Sequence, residues 1–171
     1  QRIQGSSVDE VNDLTLSFNS MAGQLRQSYG DLAALTHYQE SILESMPSGV
    51  LTFSEEGLLR SANTPALSLF GWSLNSLEKQ SSQNLFTGTN SWLSNLLNEV
   101  FSSAETRQLE DVILSTADGD HSVNLIAQPL QDQRIGLIGT MLMLEDISEE
   151  KRLKGTMARY MDPRIADQLL R

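Results

Sequence analysis

Apolar residues recur over the first 46 positions at alternating spacings of three and four: Val11, Leu14, Phe18, Met21 and Leu25, then Leu32, Leu35, Ile42 and Met46. The two skipped positions hold Ser28 and Gln39. This is a heptad seam, the pattern of a long helix paired along its length with a second copy of itself. There is no proline before Pro47, and Ser7 and Asp9 are candidate N-caps. Gly23 and Gly30 each weaken a helix by about 1 kcal/mol relative to alanine. With Ser28 they predict a soft joint near residues 28–31, so the stretch reads as one long helix or two abutting ones. The competing interpretation, a helix folded against its own globular domain, fits so long a pattern less well.

After Pro47 and Gly49 the periodicity changes to that of an α+β domain. Residues 50–53 and 58–62 read as a hairpin around Glu55-Glu56-Gly57. Asn63 can cap a helix over 65–70 that carries Pro65 in its first turn and stops at Gly71. Residues 73–77 and 80–86 read as short helices, and 90–103 as a longer one with Trp92, Leu93, Leu96, Leu97, Val100 and Phe101 at helical spacing. Strands over 107–116 and 121–130 flank Asp118-Gly119, a strong hairpin signal. A turn at 131–133 leads to a closing strand over 135–144.

That last strand contains only small, apolar or β-branched residues, the composition of a strand buried on both faces or nearly so. Within Glu145-Asp146-Ile147-Ser148 it gives way to a helical pattern in which Glu149, Glu150, Lys151, Arg152 and Lys154 surround Leu153 and Met157. Ser148 is a candidate N-cap, and the two glutamates fall where the helix dipole favours them. A core strand thus runs directly into an exiting helix, which makes Asp146, Ile147 and Ser148 the candidate signal-relay residues. The exit helix is expected to end near Met161, with Asp162-Pro163 opening another over 163–170 whose Ile165, Ala166, Leu169 and Leu170 share one face.

Composition narrows the function classes. A net charge of −10 argues against nucleic acid and against unaided binding to an anionic membrane. The absence of cysteine excludes disulfides, Cys-ligated metal, iron–sulfur clusters and a cysteinyl–flavin adduct. His37 and His121 are the only histidines, and neither has a second ligand at metal spacing. No phosphate-cradling glycine loop or nucleophile elbow is present, and Glu55-Glu56 and Glu149-Glu150 sit in exposed turn positions. No catalytic, cofactor-binding or metal-binding residue is therefore assigned. A small ligand has room between sheet and short helices if Leu67, Phe70, Trp72, Leu85, Phe86, Trp92 and Leu96 line a space; that they fill it is the favoured reading, since none is a polar anchor. The longest apolar run, about ten residues, is too short to span a bilayer. The sequence begins without methionine and in mid-pattern, so it is read as part of a longer protein.

Three family resemblances follow. GSSVDEVNDLTLSFNSMAGQLRQSY resembles the second half of a HAMP domain, through Gly5, Asp9-Glu10, Leu14, Phe18-Asn19, Met21 and Leu25. Residues 38–153 resemble a PAS domain, through ILESMPSGVLTF, EEGLLRSANTPALSLFGW and the closing LEDIS, in which Ser148 stands where that family usually has threonine. KGTMARYMDPRIADQLL resembles the segment leading into class III nucleotide cyclase catalytic domains, through Tyr160, Pro163, Ile165, Leu169 and Leu170. The PAS resemblance implies a five-stranded antiparallel sheet with short helices on one face, and hydrogen bonds around the corner at Asp146 and Ser148. It also disfavours haem, because the long helix lacks the axial histidine of haem-binding members.

Together the resemblances imply four segments: the HAMP half at 1–29, a coiled-coil linker at 30–46, the PAS domain at 47–148, and a signalling helix with the start of a cyclase transducer at 149–171. They imply a homodimer joined through Val11, Leu14, Phe18, Met21, Leu25, Leu32, Leu35 and Ile42. The whole protein would be a membrane-anchored bacterial adenylate or guanylate cyclase with an upstream transmembrane sensor, this portion lying in the cytoplasm and carrying no catalytic residue of its own. The alternatives are the same module in a histidine kinase, disfavoured because no His-Glu phosphoacceptor motif follows Ser148, and a stand-alone small-molecule-binding PAS protein.

Overall fold

The computed structural model describes residues 6–73, 77 and 80–160, with the side chains of 6–11 and 158–160 left aside. The chain divides into two compact units, Gln1–Ser45 and Met46–Arg171. In the first, α1 (Ser6–Ser45) runs unbroken for 40 residues. Of the two readings, one long helix or two abutting ones, the structure has the first: there is no break near residues 28–31, Gly23 and Gly30 both lie within the helix, and neither has a neighbour that a side chain would strike. The surrounding alanines, leucines and glutamines are strong enough helix formers to carry two glycines. Met46 falls just outside α1, beyond its last turn.

The second unit begins with β1 (Gly49–Ser54) and β2 (Leu59–Ala62). Among the described residues three helices follow, α2 (Thr64–Phe70), α3 (Ser82–Leu85) and α4 (Ser91–Ser103), the last entered through a 3-10 turn at Gly88–Asn90. Then come β3 (Arg107–Thr116), β4 (Gly119–Asp132) and β5 (Gly136–Asp146), and the chain leaves through α5 (Ser148–Tyr160). The strands form one antiparallel sheet in the order β2-β1-β5-β4-β3. Gly49 opens β1 opposite Leu144 near the end of β5. The helix foreseen over 80–86 contracts to α3, because Ser81 caps it and Phe86 leaves helical geometry. That foreseen over 73–77 falls largely, and that over 163–170 wholly, outside the described residues.

One face of the sheet carries the core. Leu51 and Phe53 of β1, Val123, Leu125 and Ala127 of β4, and Leu142 and Leu144 of β5 pack against Leu93, Leu97 and Val100 of α4 and against Ala66 and Phe70 of α2. Each large side chain buried this way contributes roughly 1.5–3 kcal/mol. β5 is not buried on both faces. Leu142 and Leu144 are buried, whereas Met141 and Met143, on the opposite face, are only half-buried. An antiparallel sheet covered by helices on one side buries alternate residues, and unbranched methionine tolerates a partly wet face.

Two side chains fix the helices to the sheet. Asn63 Oδ1 accepts from the amides of Val50 and Ala66, its Nδ2 donates to the Ser48 carbonyl, and it thereby caps α2. Asn90 Nδ2 donates to the Ser115 carbonyl at 2.7 Å and its Oδ1 accepts from the Ser115 amide, joining the start of α4 to β3. Gly139 sits where β5 meets β1, at φ 155°, and a Cβ there would lie 2.0 Å from the Phe53 carbonyl oxygen.

Candidate functional site

The corner between β5 and α5 is held by the backbone of a single neighbouring residue. Ser122, on β4, donates its amide to Ser148 Oγ at 2.9 Å and accepts from the Ile147 amide at 2.9 Å. This extends the β4–β5 ladder, which pairs Val123 with Asp146, past the end of the strand. The Ile147 carbonyl then accepts from Lys151 N–H, the first bond of the helix. The Ser148 hydroxyl oxygen therefore ties β4 to the helix. The capping role assigned to it from sequence passes to Asp146, whose Oδ1 accepts from the Ser148 amide at 2.9 Å. Asp146 can do this because it stands just before the helix with its own backbone still extended.

The other Asp146 oxygen is engaged as well. Oδ2 lies 2.8 Å from Nδ1 of His121, and the His121 Nε2 lies 3.3 Å from Oδ1 of Asp118. Asp118 belongs to the β3–β4 turn, where it also accepts from the Thr116 hydroxyl. One imidazole ring thus bridges the hairpin turn and the exit corner. It is 22% exposed, whereas Asp118 faces solvent.

These contacts set the protonation of all three groups. Burial works against the charge on His121, but hydrogen bonds from Asp146 and Asp118, with their negative charges, outweigh it and raise its pKa above the ordinary 6.5. Burial likewise disfavours ionised Asp146; its bonds to Ser148 and to His121 prevail and hold its pKa below 3.8. For Asp118 the Thr116 hydroxyl contributes most, followed by His121, and the shift is also downward.

A second tie reaches the first turn of α5. Lys151 Nζ donates to Asp111 Oδ1 on β3 and lies 3.4 Å from Ser122 Oγ. Asp111 sits in a β-bulge between Leu109 and Val112, at φ 54°, with its amide held by Asn124 Oδ1. Aspartate is among the few non-glycine residues that adopt this conformation readily. The β3–β4 hairpin therefore grips the exit helix through His121–Asp146 and through Asp111–Lys151.

Neither His121 nor Lys151 is singled out by sequence reasoning. The Asp118-x-x-His121 spacing is visible, but the partner that matters, Asp146, lies 25 residues away and is supplied by strand register. Among the described residues no group of three histidine, aspartate or glutamate side chains is placed to hold a metal ion.

Of the seven candidate pocket residues, Leu67 and Leu85 are half-buried and the other five divide in two. Phe70, Trp72 and Phe86 come together: Phe70 and Trp72 stack at 4.3 Å between ring centroids, and Phe86 lies within 6 Å of both. A left-handed Gly71 produces this by ending α2 and letting the Trp72 amide bond back to the Leu67 carbonyl. Phe53, absent from the sequence-based set, completes the cluster against Phe86. Trp92 and Leu96 are only partly buried, because the core-facing stripe of α4 is Leu93, Leu97 and Val100.

The seam residues on α1 are open to solvent: Leu14 is 71% and Phe18 70% exposed, and Met21, Leu25, Leu32, Leu35 and Ile42 are exposed too. Val11 lies on the same helix, with its side chain outside the described set. On α5, Leu153 and Met157 are likewise exposed. Among the described residues no helix is long and apolar enough to cross a membrane.

A family model described as the PAS fold matches residues 43–152, more than half of the chain. The chain belongs to the PAS family. Solved PAS structures agree in fold. A PAS domain from Colwellia psychrerythraea superposes with a TM-score of 0.54 at 12% identity, covering 67% of this chain and 98% of that one. The PAS domain of nitrogen regulation protein NR(II) from Vibrio parahaemolyticus gives 0.50 at 20% identity, covering 64% and 97%. VqmA of Vibrio cholerae, described as a dimer whose conformation shifts in the absence of target DNA, gives 0.57 at 16% identity, covering 66% and 52%. No curated protein matches the chain in sequence. The five-stranded PAS sheet with its long leading helix and exit helix is a sensor fold rather than a catalytic one.

Proposed function

We propose that the chain is a dimeric relay: a PAS sensor domain inserted between a helix that receives a signal and a helix that delivers it to a catalytic domain. The observation that carries this reading is the solvent-exposed heptad seam on α1, from Leu14 through Ile42, an apolar stripe whose 3.5-residue period suits a second copy of the same helix. Leu153 and Met157 offer an apolar stripe on the exit helix, where two copies would meet again. A two-state change in how the paired helices pack would transmit the signal.

In this proposal the leading helix through residue 29 belongs to the second half of a HAMP domain and the rest is a coiled-coil linker, both lying on the cytoplasmic side of a membrane anchor. The output is a class III nucleotide cyclase making cyclic AMP or cyclic GMP. The segment ending in Asp162-Pro163 and the Leu169-Leu170 pair supports that assignment by resemblance. Class III cyclases form their active sites at a dimer interface, so the relative pose of two exit helices would set activity.

The test is oligomeric state by analytical ultracentrifugation. The chain is expected to sediment as a dimer, and Leu14→Lys or Phe18→Glu to sediment as a monomer with the PAS domain still folded by circular dichroism. An unchanged dimer in both variants would sink the seam. For the output, a strand carrying a metal-binding aspartate soon after Arg171 supports the cyclase, and ATP-binding asparagine and glycine boxes there would replace it with a kinase.

A further inference from the structure

We propose that His121 is a proton-operated latch: as imidazolium it holds the β3–β4 turn and the exit corner together, and as neutral imidazole it lets the turn go. The geometry places both ring nitrogens to donate when both carry hydrogen. Each faces a carboxylate oxygen, Nδ1 toward Asp146 at 2.8 Å and Nε2 toward Asp118 at 3.3 Å. An ionised carboxylate only accepts, and neutral imidazole has a single N–H. After deprotonation one nitrogen lone pair must therefore face a carboxylate. The bond that survives is the shorter one to Asp146, so the proton leaves Nε2 and the Asp118 turn is freed.

The charged groups around the ring favour this behaviour. Asp118 lies in the turn, Asp120 follows it at the start of β4, and Asp146 comes from β5. The nearby cation on α5, Lys151, is engaged by Asp111 of β3. Across the ladder on β3 the register partner is Leu114, apolar and buried. The imidazole thus faces two carboxylates, with the adjacent lysine already paired. Its raised pKa fits this arrangement: the contribution of the latch is fully present below 6.5 and is lost as pH rises through the higher folded-state value.

The bridge ends on the carboxylate that caps α5, because Asp146 Oδ1 accepts from Ser148 while Oδ2 meets His121. A change of pH near neutrality therefore frees the turn and removes a positive charge from beside the Asp146 carboxylate at the exit corner, without any ligand entering the core. Its consequence for a downstream domain rests on the relay reading, whereas the latch does not. A monomeric chain would overturn the relay and leave the latch standing.

The test is nuclear magnetic resonance of the full chain across neutral pH. The His121 ring carbons are expected to titrate with a midpoint above 6.5, and the Gly119 and Ser148 amides to shift with that same midpoint. Protection of the Gly119 amide from hydrogen exchange, corrected for intrinsic rates, should fall as the ring deprotonates, while that of Ser148, whose bond to Asp146 is kept, should fall less. His121→Gln should abolish the coupled shifts. Asp118→Asn, an exposed turn position that leaves the ring in place, should lower the midpoint if the first variant fails to fold. A midpoint at or below 6.5, amides that ignore it, or the same amide shifts in His121→Gln would overturn the latch.

Discussion

Asn63 and Val50 are joined twice: the Asn63 amide donates to the Val50 carbonyl at 3.1 Å, and the Val50 amide donates to Asn63 Oδ1 at 2.8 Å. The same oxygen takes the Ala66 amide at the start of α2. One side chain therefore defines the entrance to the PAS domain, where Pro47 and Gly49 end the preceding helical pattern. Asn63→Ala should remove the cap of α2 and leave the buried Val50 amide unmatched, lowering stability by about 2–4 kcal/mol. Thermal unfolding checks this: Asn63→Ala should melt earlier by roughly 5–10 °C. Asn63→Asp, which keeps the acceptor, should lose less.

Gly139 is the tightest point of the sheet. Alanine there would drive its Cβ into the Phe53 carbonyl at a φ of 155° that side chains rarely adopt. Gly139→Ala should destabilise the domain by about 2–4 kcal/mol. Denaturant titration followed by tryptophan fluorescence measures the loss, and a variant as stable as the parent would contradict the close approach.

Acid should open the exit corner. The folded-state pKa of Asp146 lies below its ordinary 3.8, so the ionised carboxylate adds stability above pH 3.8 that fades as pH falls through the lower folded value. The melting temperature of the parent should decline between about pH 5 and about pH 2 more steeply than that of Asp146→Asn, which has no charge to lose. Equal slopes would show that Asp146 makes no pH-dependent contribution.

Lys151 separates local from global effects. Its pair with Asp111 is half exposed, and such pairs contribute under about 1 kcal/mol. Lys151→Met should leave the melting temperature nearly unchanged, yet raise hydrogen exchange in the first turn of α5. Unaltered exchange would mean that the Asp111 bulge does not grip the helix.

The architecture was legible where local chemistry determines it. Asn63, Pro65 and Gly71 mark α2 from cap to stop, and Asp118-Gly119 marks the long hairpin. Departures arose where tertiary contacts decide. α1 is the exception, a matter of local propensity: of the one long helix or two abutting ones that the pattern allowed, it is one, continuous through Gly23 and Gly30. β5 proved one-sided, since residue composition cannot tell which face of Met141 and Met143 stays uncovered. At the candidate site, Asp146 and Ser148 were visible as a motif that hydrogen-bonds around the corner, as the structure has it, but the partner each takes was not. Ser122 takes the Ser148 hydroxyl through its backbone amide, a contact that carries no signature in side-chain type. His121 was weighed only as a metal ligand, because its neighbour in space, Asp146, is fixed by register across β4 and β5.

The pairing of Gly49 with Leu144 has a practical consequence. Partners across an antiparallel ladder lie about 5 Å apart, so the backbone leaves the sheet almost where it entered. Everything between those two positions is a detour that returns to its starting point. A segment of that kind is a cassette: another fold whose ends lie as close can take its place without changing the spacing between the flanking stretches of chain. A replacement would keep that spacing but would lose the bonds that Ser122, His121 and Asp111 make to the exit corner.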